Sequence, residues 1–104
     1  MGIDTALITE AGDRKQEVLD SQQCLTRLAT TRWPELHHTK CLQFIEPWGD
    51  TVFNQSQIPY LLAELRTEAA EQQEQVVLAH LEAVILLVEQ AVDQMHTYIE
   101  FIGD

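Results

Sequence analysis

Beyond residue 40 the chain has a single cationic side chain, Arg66, against eleven carboxylates. Residues 1–40, with six acids and five bases, are almost balanced. Nucleic acids and anionic membrane surfaces are bound through clustered Lys and Arg that displace counterions, so a formal charge of −11 argues against both as partners and favours basic ones. Glycine is scarce, with four in the chain, and no Gly-x-Gly-x-x-Gly or Gly-x-x-x-x-Gly-Lys cradle is present, which removes the usual phosphate-binding loops. Two cysteines, Cys24 and Cys41, are too few for a disulfide framework and suit free thiols in a reducing compartment. The longest apolar run, residues 83–88, is far shorter than a bilayer span, and no cationic stretch followed by an apolar run opens the chain. The expectation is a soluble cytoplasmic protein.

With 104 residues, 45% of them apolar, there is material for one core and one domain spanning 1–104. Hydrophobic periodicity changes several times along the chain, which predicts an α+β fold. Residues 3–9 read as a strand, Ala11, Gly12 and Asp13 as a turn, and residues 16–19 as the returning strand of a hairpin. From Asp20 the period becomes helical: Asp20 and Gln23 resemble a capping box, and Cys24, Leu25, Leu28 and Ala29 share a face that ends before Pro34. Residues 41–46 and 51–54, separated by Pro47, Trp48 and Gly49, predict a second hairpin. A helix follows, capped by Asn54 or Ser56, with Pro59 in its first turn and Ile58, Leu61, Leu62, Leu65 and Ala69 facing inward. Its polar face carries Glu64, Glu68, Glu71 and Gln75 in a stripe.

Residues 71–75 contain no Gly or Pro, so a polar corner and one continuous helix are both open. A third helix over 76–95 places Val77, Leu81, Val84, Val88, Ala91 and Met95 on one face. Residues 83–88 are apolar nearly all round, which requires cover on more than one side. The sheet and the second helix can supply it, and so can a twofold partner along 77–95. Residues 97–104 read as a terminal strand tied into the sheet. The expected architecture is a mostly antiparallel sheet of about five strands in ββαββααβ order, with helices on one face.

Candidate chemistry is sparse. Asp50 and Asp104 each close a strand with Gly-Asp and could pair at one sheet edge as oxygen ligands, although Gly-Asp is also ordinary turn chemistry. Cys24, His37, His38 and Cys41 offer sulfur and nitrogen, but only the His38 and Cys41 end has zinc-like spacing. Glu89, Asp93 and His96 lie on one side of the third helix, where a solvated amphipathic flank is the simpler reading, and His80 near that helix's start reads as ordinary. Ser21 and Ser56 fall at helix caps and outside any nucleophile elbow, and Cys41 beside His37 or His38 is the one thiol–imidazole pair close in sequence. No enzyme activity and no cofactor are expected.

A binding surface is the remaining reading. Trp48 at a hairpin tip, flanked by Glu46 and Asp50, is poorly placed for burial by its own domain, and Trp33 and Tyr60 lie near element ends. Aromatic anchors ringed by acids suit a cationic partner. Trp48, Glu46 and Asp50 with the Glu64, Glu68 and Glu71 stripe are therefore the candidate partner-binding residues. The composition matches small acidic inhibitors and immunity-type modules that mask basic surfaces, and carries no residue across from them. The alternative is a small metal- or ligand-binding protein using Asp50 and Asp104 or the 37–41 segment.

Overall fold

In a computed structural model, residues 2–103 are described. Strand β1 (Asp4–Thr9) turns through Gly12, at φ +88°, into β2 (Arg14–Val18); Gly12 N–H donates to the Thr9 carbonyl at 2.9 Å. Helix α1 (Cys24–Thr31) follows, then 3₁₀ turns at Trp33–Glu35 and Leu42–Phe44, strand β3 (Asp50–Phe53), helices α2 (Ile58–Glu71) and α3 (Gln75–Val92), and strand β4 (Thr97–Ile102). The class is α+β, with one antiparallel sheet of four strands in the order β2-β1-β4-β3.

The fifth expected strand is absent: residues 41–46 form a 3₁₀ turn and a bend, and β3 pairs with β4. The cause is a side chain from α2. Glu64 accepts from the N–H of Lys40 at 2.7 Å and from Cys41 and Leu42 at 3.1 Å each, and Thr39 Oγ1 takes the Gln43 N–H. Donors committed to a carboxylate cannot join a ladder.

The residues around Asp20 depart from a simple capping box. Gln23 flanks the helix in a left-handed conformation (φ 56°), and Asp20 does the capping from further back. Its Oδ1 accepts from Cys24 N–H at 2.7 Å, and its Oδ2 accepts from Leu25, Thr26 and Ile3. One buried carboxylate thus satisfies the orphan donors of α1 and ties the start of β1 to it.

Alternation along the strands decides the layers. Thr5, Leu7, Ile99, Phe101 and Phe53 face the helices, with Phe53 and Phe101 edge to face at 5.9 Å. α3 lies across β1, β2 and β4, and α2 packs along α3. The other sheet face carries Asp4, Glu17, Glu100 and Asp50 among Ala6, Ile8, Tyr98, Val52 and Ile102.

Residues 72–74 are extended, so the polar corner is realised and the single long helix is not. α3 is long and apolar enough, at a mean hydropathy of 1.6, to cross a bilayer, yet here it is the central helix against the sheet. It ends at Val92, short of the expected Met95, which is exposed. Gln55 secures that end, its Nε2 donating to the carbonyls of Ala91, Gln94 and Thr97.

Candidate functional site

Residues 46–49 make the turn that leads into β3. Gly49 lends its carbonyl to Gly103 N–H at 3.0 Å, fastening the turn to the end of β4. A side chain at position 103 would begin 2.5 Å from the Gly49 carbonyl, 2.7 Å from that of Pro47 and 2.8 Å from that of Glu46. Only glycine permits the approach. At Gly49 the one close neighbour is the flexible Glu46 carboxylate, 3.1 Å from where a Cβ would be. Thr51 Oγ1 accepts from Glu46 N–H at 3.4 Å.

Trp48 leaves this fixed turn with 78% of its surface exposed. Beside it runs an open groove of about 330 Å³, floored by Ala29 and Thr30 of α1 and walled by Pro34, Ile45, Pro47 and Glu46. Phe44 (59%) and Val52 (48%) are exposed in the same stretch. Phe44 was expected inside a strand, and the 3₁₀ turn is what presents it to solvent; nothing in the local sequence signals this. Glu46 and Asp50 are both exposed, and of the two Glu46 lines the groove. No Lys or Arg lines the groove.

The acidic stripe of α2 divides. Glu68 is 3% exposed, so its expected place on a solvated, partner-facing surface is corrected. It accepts from Arg32 Nε at 2.9 Å, Arg32 Nη2 at 3.0 Å and the indole of Trp33 at 2.8 Å. Trp33, fully buried, is likewise a core residue and no surface anchor. Glu64 is spent on the backbone of residues 40–42, and Glu71 is exposed but paired with Arg32 at 2.5 Å. The Glu68 carboxylate holds Arg32 more firmly in its charged form. Tyr60 is half exposed with the Lys40 ammonium 4.1 Å from its ring centre.

The Cys24, His37, His38 and Cys41 set and the Glu89, Asp93 and His96 set do not come together among the described residues. Cys41 is buried with its Sγ 3.7 Å from the Gln57 carbonyl, while His37 and His38 are exposed. Burial, reinforced by the Glu64 charge, pushes the Cys41 thiol up to about 12, far from thiolate chemistry. Cys24 is buried too, and burial raises its thiol. His96 pairs with Glu10 at 2.9 Å, away from the Glu89 that binds Arg66. Strand register sets Asp50 opposite Ile102, and Asp104 lies outside the described residues. Among the described residues no three His, Cys, Asp or Glu side chains converge as metal ligands.

Family models, curated proteins and solved structures were all compared with this chain, and none matches.

Two further features escaped the sequence. His80, partly buried, lies with its Nε2 3.5 Å from Asp20 Oδ1, and that nitrogen, itself buried, makes no hydrogen bond of good geometry. Burial lowers its pKa, against the opposing pull of Asp20 and Asp4. Between α2 and α3 a shallow groove holds Leu86, 62% exposed, with Ile85, Ala69, Arg66 and Glu82.

Proposed function

We propose that this domain is a non-enzymatic docking module, an inhibitor or immunity-like protein that covers a basic surface on a partner protein. The observation that carries the reading is Trp48: a large ring 78% exposed on a turn clamped by Gly103, with Glu46 lining the groove beside it and Asp50 exposed two residues on. A rigid exposed aromatic loses little freedom on binding and supplies apolar area, which is what interface anchors do. The formal charge of −11 steers cationic partners and disfavours acidic ones. Of the α2 acids, Glu68 is buried, Glu64 holds the backbone of residues 40–42 and Glu71 is paired with Arg32, so the contact is centred on the 44–52 segment. Two buried free thiols are in keeping with a reducing, cytoplasmic setting.

The reading is tested by capturing basic proteins on the purified domain and measuring association rates at low and physiological salt. A rate that falls steeply with salt, and a Trp48→Ala variant that weakens binding by about tenfold or more, as at an interface hot spot, are expected. Binding that ignores both salt and Trp48 refutes it.

A further inference from the structure

Resting on that reading, we propose that the groove between α1 and the Trp48 turn is a socket for one arginine side chain of the partner. Its walls are of two kinds. Pro34 and Pro47, above the buried Ala29 and Ile45, offer apolar surface along which a three-carbon stem can lie, and Glu46 and Trp48 line the same groove. A planar guanidinium stacks on an indole face and meets a carboxylate with two parallel N–H donors; an ammonium does the first less well and the second not at all. Gln43, which also lines the groove, has its amide nitrogen held by the His37 and Thr39 carbonyls, so its amide oxygen is the acceptor that remains. The volume of about 330 Å³ stands at the small end of ligand clefts, roughly 300–1,000 Å³, and suits one extended side chain.

Charge complementarity favours this occupant over an apolar one. No cation lines the groove, and the two cations of the adjoining α1 region are engaged elsewhere: Arg27 with Glu74 at 3.6 Å, Arg32 with Glu68 and Glu71. The Glu46 carboxylate, folded against Gly49, has no cationic partner among the described residues.

The test uses labelled nine-residue peptides of arginine and of lysine, titrated by anisotropy at low salt against the full chain. Wild type is expected to bind the arginine peptide about fivefold more tightly than the lysine one, on stacking and bidentate pairing. Glu46→Gln should weaken the arginine peptide about tenfold. Thr30→Arg, at an exposed helical position, places a cation in the groove and should weaken it at least as much, whereas Glu100→Gln on the open sheet face should change it less than about twofold. Circular dichroism of each variant establishes that the fold is kept. Equal affinity for the two peptides, unmoved by Thr30→Arg and Glu46→Gln, overturns the socket and leaves the docking reading standing. Failure of wild type to bind either peptide at low salt overturns both.

Discussion

Three carboxylates on α2, at spacings of four and three residues, end with different duties. Glu64 caps backbone donors, Glu68 anchors a buried indole and a guanidinium, and Glu71 adds an exposed ion pair. Replacing Glu68 by Ala strands the Trp33 indole N–H in the core and frees Arg32, and is expected to cost about 2–3 kcal/mol, while Glu71→Ala should cost under about 1 kcal/mol. Urea unfolding of the two variants measures the difference. Helical spacing showed that the three acids share one side of α2, but their partners lie at least 22 residues away in sequence, in segments whose placement is a property of the tertiary fold.

His80 gives a second result at this scale. Its folded imidazole takes up a proton less readily than the unfolded one, because burial penalises the charge more than Asp20 and Asp4 repay it. The unfolded state therefore binds protons first as pH falls, and the His80 contribution, complete above the ordinary 6.5, diminishes below it. Stability measured by urea unfolding between pH 7.5 and 5.5 is expected to decline with acidification, and His80→Gln should flatten that decline. An unchanged slope in the variant would assign the effect to other groups.

At the scale of elements, the helices and the two central strands were legible because each carries a regular apolar period. β1, β4, α1, α2 and α3 all lie where the pattern placed them, within a turn at their ends. The segment 41–46 was not legible. Its residues have strand composition, and what overrides it is a single acid on α2 that captures three consecutive N–H groups. Removing that acid is the corresponding test: Glu64→Ala orphans the amides of Lys40, Cys41 and Leu42. A loss of about 1–3 kcal/mol is expected, with hydrogen exchange quickening at those amides ahead of the sheet. The turn at 46–49 was recognised from Pro47 and Gly49, yet its clamp by Gly103 could not be, since it depends on β4 ending beside β3. Gly103→Ala should displace that turn and weaken partner binding about as much as Trp48→Ala, with binding measured beside a melting curve to separate the two effects.

For the whole molecule, the charge imbalance fixes behaviour that no single contact does. Among the described residues the cations are few and mostly paired, so many carboxylates repel one another across the surface. Added salt is expected to raise the melting temperature by a few degrees through screening, in a protein whose association with basic partners the same salt slows. The Leu86 groove is the exposed apolar part of the helix along which a twofold seam would run, but the two copies meeting there would each carry a formal charge of −11. A single 11.9 kDa species at micromolar concentration is the expected result in light scattering. The division between acidic shell and apolar centre was readable from composition; which acids the interior would claim for itself was not.

The two tryptophans occupy opposite extremes, Trp33 sealed at 0% exposure and Trp48 open at 78%. Their emission should therefore separate into a blue and a red component, with aqueous caesium ion, which the acidic surface attracts, extinguishing the red one alone. The chain contains its own pair of optical gauges, the sealed indole reporting melting and the open one reporting contact with another protein.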